Sequence, residues 1–294
     1  MQIKDSPNCR RFWVLVLGVV LVSAVSQVAA ADPTTQASRS AEAAEVRPVA
    51  GRKLRVALYS DVGSVKGGDN VEKCLAFEPA GFEATRVTAE QIRKGVLHDF
   101  DVFVAGGGSG SKIAEALQPE GREQIKAFVR DGGGYLGICA GAYLATSDYK
   151  WSLHILNAKV IDRAHWNRGG GEVTLALSEA GQQLLGVSGS QFVCTYNQGP
   201  LLAPDDKEGL PAFTSLATFA SEIAKKGAPT GVMVGTIAIA TADYGQGRVA
   251  VISPHPEKGA EYHEVIRRVI AWAGKAPKEA PLVAPTPTTR PTGG

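Results

Sequence analysis

The segment GGGYLGICAGAYLA, Gly132–Ala145, constrains the fold more than any other stretch of the chain. The apolar run GYLGIC ends at a cysteine, and AGAYLA can open a helix directly after it. A strand that turns so sharply into a helix strains the backbone at the turn. Its neighbours must be small to avoid collision, as Gly137, Ala140 and Gly141 are. Cys139 therefore stands at an elbow with an accessible sulfur, and the helix start beside it adds partial positive charge that favours thiolate. The competing reading is a packed structural cysteine beside a glycine-rich crossing.

Other segments supply the sheet that such an elbow requires. KLRVALYS (53–60), FEATRVT (82–88), FDVFVAGGG (100–108) and a late run within YGQGRVAVISP (244–254) are rich in β-branched and apolar residues and end in turn residues. Between Glu120 and Asp131, the residues Ile125, Phe128 and Val129 lie at i, i+3 and i+4, which predicts a helix. A final helix has Val265, Ile266, Val269, Ile270 and Ala273 on one stripe. Apolar strands separated by helices predict an α/β fold, a mostly parallel, doubly wound sheet with helices on both faces in a single domain over 53–274. Residues 151–239 hold short β-like runs and turns without a readable topology.

The flanks read differently. Residues 1–31 join a basic start, Arg10-Arg11, to the apolar run FWVLVLGVVLV and small residues ending near Ala31. That order predicts a secretory signal peptide, because the run is shorter than the roughly 20 residues of a membrane span. Export, and no stable membrane span after cleavage, follow as expectations. Residues 32–52 read as a linker and 275–294 as a Pro/Thr-rich extended tail. Lys4, Arg10 and Arg11 against Asp5 account for all of the formal net charge of +2, so the remainder is neutral and gives no reason to expect nucleic acid. Losing Cys9 with the signal leaves Cys74, Cys139 and Cys194, an odd set for an oxidising compartment. Cys74 and Cys194 are the candidates for a disulfide, and Cys139 for the free thiol.

A thiolate nucleophile needs a base, and the base needs orienting. SPHPE (253–257) follows the late strand and offers His255 as base and Glu257 as its orienting carboxylate. The turn AGGGSGS (105–111) offers backbone N–H groups to an oxyanion, with Gly107, Gly108 and Ala140 the candidates. A phosphate loop is disfavoured because Lys112 is followed by Ile113 and not by the required pattern. His98, His154, His165 and His263 show no ligand spacing, so neither a metal nor another cofactor is expected. HWNRGGGE (165–172) reads as an exposed hairpin rather than a pocket wall.

Taken together, GGGYLGICAGAYLA, AGGGSG and YGQGRVAVISPHPE resemble the class I glutamine amidotransferase-like superfamily, and most closely the domain at the N-terminus of biotin–protein ligases. The resemblance spans about 54–272. It implies a flavodoxin-like fold, a Cys139–His255–Glu257 triad and an oxyanion turn at Gly107 and Gly108. TYNQGP (195–200) resembles the tyrosine–asparagine–glycine stretch of that domain, which makes Tyr196 and Asn197 candidate pocket residues. Ala140, Gly141 and Ala142 stand where glutamine-using members carry glycine, histidine and glutamine, which argues against free glutamine as substrate. The expectation is an exported cysteine hydrolase of a small-molecule or peptide amide, acting through a thioester. The alternative is a binding module that keeps the fold and the pocket without turnover.

Overall fold

A computed structural model describes residues 52–76 and 81–274. The expected signal peptide, all but Arg52 of the expected linker, and the expected tail lie outside the described residues. The first half alternates strand and helix: β1 (Leu54–Tyr59), α1 (Asp69–Leu75), β2 (Phe82–Val87), α2 (Ala89–Arg93), β3 (Val102–Ala105), α3 (Gly110–Arg130), β4 (Gly134–Ile138) and α4 (Ala140–Ala145). There follow β5 (Ala158–Ile161), β6 (Gly170–Leu177), α5 (Glu179–Leu185), β7 (Gln191–Asn197), β8 (Leu201–Pro204) and β9 (Thr214–Phe219). The chain closes with β10 (Ile237–Tyr244), β11 (Gly247–Ile252) and α6 (His263–Ala273).

The strands form one sheet in the order β2-β1-β3-β4-β11-β10-β9-β6-β7, with β8 bonded to β10 and β5 to β8. From β2 to β11 every pairing is parallel. From β11 to β7 every pairing is antiparallel. The parallel half is the α/β sheet expected from the apolar runs, and the antiparallel half is the region whose topology the sequence leaves unread. β7 alternates buried with exposed or half-buried residues along its length, β6 does so from Val173 on, and the helix α5 interrupts their connection.

Side-chain alternation divides the core. On β1, Val56 and Leu58 join one apolar cluster with residues of α1, α5 and α6. Ala57 and Tyr59 join a second cluster with α2, α3 and α4. Helices therefore cover both faces of the sheet, which explains why β3 and β4 are buried along their whole length, whereas β2 at the edge is largely exposed.

Helix α3 starts ten residues before the stretch that the periodicity marks. Gln118 takes φ 59° and ψ 176°, Pro119 follows it, and the axis kinks there. Proline is well placed to restart a helix in its first turn, since it has no N–H to leave unpaired. The sequence pattern thus detects only the second segment, while Ile113, Ala114 and Leu117 bury the first.

The elbow is tightly built. A Cβ on Gly141 would stand 2.0 Å from the Ala105 carbonyl oxygen, on backbone that cannot swing aside. Gly141→Ala should therefore cost about 1–3 kcal/mol of stability, measured as a lower urea midpoint at unchanged slope. An unchanged midpoint would mean that α4 can move away from β3 without penalty.

Candidate active site

The site lies at the carboxyl ends of three adjacent parallel strands, β3, β4 and β11. Ala105 on β3 and Val251 on β11 both pair with Gly137 of β4, and Ile252 pairs with Ile138. The residues immediately beyond these ends are the glycine turn, Cys139 and the segment leading to His255. The register alone closes the 116-residue gap in sequence between cysteine and histidine.

Cys139 has φ 51° and ψ −99°, a positive φ that a side chain rarely adopts. Its N–H donates to the Ile252 carbonyl at 2.9 Å, and its carbonyl accepts from the Tyr143 N–H at 3.1 Å, so both sides of the strained residue are tied. Cys139 is only 6% exposed. The sulfur therefore sits on the floor of a cavity, and its access runs through that cavity instead of the open surface that the small neighbours suggest.

His255 and Glu257 are buried beside it. His255 Nδ1 and Glu257 Oε1 are 2.7 Å apart. The His255 backbone N–H donates to the Thr195 carbonyl at 2.7 Å, an isolated antiparallel bridge that ties the histidine to β7. Burial opposes charge on the imidazole, but nearby Cys139 and the hydrogen bond to Glu257 outweigh it and raise His255 to about 9. Nε2 meets no hydrogen-bond partner, so Cys139 acts on it through proximity and charge, short of a formed hydrogen bond. The Cys139 Sγ instead donates to the Asn197 carbonyl at 3.5 Å.

The cavity has a volume of about 760 Å³, and Gly107, Gly108, Cys139, Asn197, His255 and Glu257 all line it. Gly107 presses against the histidine: a Cβ there would be 2.9 Å from His255 Cε1. Gly108 has φ +146°, which favours glycine, and a Cβ on it would meet the Gly63 carbonyl at 1.9 Å. The Gly107 carbonyl accepts a 2.7 Å hydrogen bond from Ser64 Oγ, which fixes the plane of the following peptide. Ala140 is buried at the start of α4 and does not line the cavity.

Three expectations need correction. Tyr196 is not a pocket residue: the alternation of β7 turns it into the core, edge-on to Phe219 at 5.7 Å, with its hydroxyl on the Gly199 carbonyl at 2.8 Å. Cys74 and Cys194 do not form a disulfide; both are free and buried in the same apolar cluster. Burial, with Glu257 adding to it, pushes both thiols up to about 12, so they remain protonated packing groups. HWNRGGGE is no exposed hairpin. Trp166 lines the cavity, while Arg168 is fully buried, paired with Asp162 and donating to the Ile223 carbonyl at 3.5 Å.

The sequence reading missed the loop between β1 and α1, which brings Ser64 and Lys66 to the cavity, and the aromatic residues Tyr143, Tyr149 and Trp151. DVGSVKGG (61–68) is the one signal that could have found the loop, since it is a second glycine-rich turn at the end of a parallel strand. Among the described residues, no group of three or more His, Cys, Asp and Glu side chains could hold a metal ion. No helix among them is long and apolar enough to cross a membrane.

A doubly wound sheet with a cysteine elbow and a histidine after the neighbouring strand defines the glutamine amidotransferase-like fold. Solved structures share it at low identity. PurLQS from Thermotoga maritima matches with a TM-score of 0.51 at 15% identity, over 75% of this chain and 99% of its own. A ThuA-like protein from Bacteroides uniformis matches with a TM-score of 0.55 at 11% identity, over 77% and 94%. A cytoplasmic protein from Salmonella typhimurium LT2 matches with a TM-score of 0.51 at 13% identity, over 75% and 99%. A search of curated proteins finds no match. Residues 82–271 match the family described as biotin-protein ligase, N terminal, and the chain belongs to that family.

The raised His255 has a consequence for pH. A basic group whose folded-state value lies above its ordinary 6.5 adds stability that is complete below about pH 6.5 and is lost as pH rises through about 9. Replacing the carboxylate in Glu257→Gln removes one partner of the imidazolium. His255 followed by NMR should then titrate nearer 6.5, and the fall in thermal midpoint between pH 6.5 and 9 should flatten. A titration that does not move would exclude Glu257 as the charge partner.

Proposed function

We propose that the domain is an exported cysteine hydrolase of the glutamine amidotransferase-like type, cleaving an amide or small peptide bond. The observation that carries the reading is the strained Cys139 beside a buried His255 that has Glu257 on Nδ1 and an unpartnered Nε2.

In this reading the Cys139 thiolate attacks the amide carbonyl carbon, and the electron pair moves onto oxygen. The turn at Gly107 and Gly108, which lines the cavity, offers N–H groups to that oxyanion. Collapse breaks the C–N bond, and the amine leaves with a proton from His255 Nε2, which gives a thioester. Water, losing a proton to Nε2, then attacks the thioester, and the C–S bond breaks to release the acid and restore the thiolate beside the imidazolium. The net change is addition of one water to one amide. Glu257 holds His255 through Nδ1, so Nε2 can face the reacting atoms.

A binding module that does not turn over is the rival, favoured by the Cys139 hydrogen pointing to the Asn197 carbonyl. Alkylation of Cys139 by iodoacetamide, followed by peptide mass spectrometry, separates the two. A thiolate–imidazolium pair should react readily at pH 6, and His255→Ala should slow it by about tenfold or more, since an unassisted thiol near 8.5 is almost wholly protonated there. Equal rates in both proteins would sink the hydrolase and leave the binding module. Export has its own test: expression of the full chain in a bacterial host should yield a mature N-terminus near Asp32, and an intact N-terminus would refute it.

A further inference from the structure

The cavity lining combines aromatic and cationic groups. One part of its lining is aromatic. Tyr149 and Trp151 stack with ring centroids 4.6 Å apart at 22°, and Tyr143 tilts against Tyr149 at 6.3 Å. Trp151 is seated over the start of α3, where a Cβ on Gly110 would be 3.0 Å from its ring. Trp166 lines the same cavity and remains 55% exposed, although a tryptophan surface of that size gains most from being covered.

The other part is cationic. Lys66 comes from the β1–α1 loop and Lys258 from the turn after Glu257, and neither has an ion pair among the described residues. Among the described residues, Glu257 is the only lining carboxylate, and it is occupied by His255. Along the chain, Tyr143 is one helical turn after Cys139 on α4, and Lys258 is three residues beyond His255. At about 760 Å³ the space suits a ligand well above the size of a small neutral amide.

From this lining we infer that the cavity takes an amide that joins a flat, ring-bearing group to a carboxylate-bearing one, the ring on the tryptophan and tyrosine wall and the carboxylate by the lysines. The inference rests on the hydrolase reading for cleavage of the bond, but its binding half stands independently.

The test separates the two. Equilibrium binding to Cys139→Ala is measured by calorimetry with benzoylglycine, which carries ring, amide and carboxylate. Acetylglycine lacks the ring and benzamide lacks the carboxylate. Benzoylglycine should bind about tenfold or more tighter than either partial probe, the gain expected from one covered ring or one satisfied charge. Trp166→Ala, at an exposed position, should narrow the gap to acetylglycine, and joint replacement of Lys66 and Lys258 by alanine the gap to benzamide. Equal binding of the three probes, or no binding of any, would overturn the inference. Benzoylglycine bound but uncleaved by the wild type would count against the hydrolase and leave the ligand class standing. Cleavage of acetamide as fast as benzoylglycine would overturn the ligand class and leave the hydrolase.

Discussion

The hydrogen bond from the Cys139 N–H to the Ile252 carbonyl is the last rung between β4 and β11, and the rest of the site is referred to it. It holds the first residue beyond one strand against the final residue of its neighbour. The elbow then has no freedom to unwind into a longer strand, and the chain after Ile252 must leave beside the sulfur. Small residues on the β3 side let α4 come within contact distance of the Ala105 carbonyl. Sheet register and steric room together thus produce the strained backbone at Cys139, which neither would maintain alone.

Charge is distributed around Glu257 with unusual economy. Its carboxylate holds the imidazole, and its backbone carbonyl accepts a long 3.9 Å contact from the Cys74 thiol. Cys74 and Cys194 both feel its negative charge, which adds to burial in keeping them protonated. The same carboxylate therefore favours a cation at His255 and disfavours anions at the two neighbouring thiols. Of the three described cysteines, Cys139 is the one that shares the cavity with His255.

Much of this was legible in the sequence where local chemistry and fold agree. The apolar runs of β1, β3 and β4 read as strands because both faces are buried, and the elbow was visible because few arrangements tolerate so many small residues around a cysteine. His255 and Glu257 followed from their place after a strand. What stayed hidden depended on long-range pairing. Nothing in HWNRGGGE announces that Arg168 will be buried, since that requires Asp162 and the Ile223 carbonyl to converge on it. Tyr196 was placed in the pocket on resemblance to a motif, whereas the period-two alternation of β7 sends it into the core and leaves Asn197 at the cavity. The kink at Gln118 hid half of α3 for a related reason, because a proline reads as a boundary even when the helix resumes through it.

The bridge between Thr195 and His255 has a consequence for how the family can diverge. β7 ends the hydrogen-bonded order of the sheet, and an outer strand is ordinarily the part of a fold that drifts most freely in length and pairing. Here its terminus is fastened to the backbone of the histidine. A one-residue slip of β7 against β6 would reverse which side chains face the core and also move the carbonyl that anchors His255. Variation should therefore collect in the α5 insertion between β6 and β7, which can change without disturbing that anchor, while the final residues of β7 change only together with the segment that carries His255.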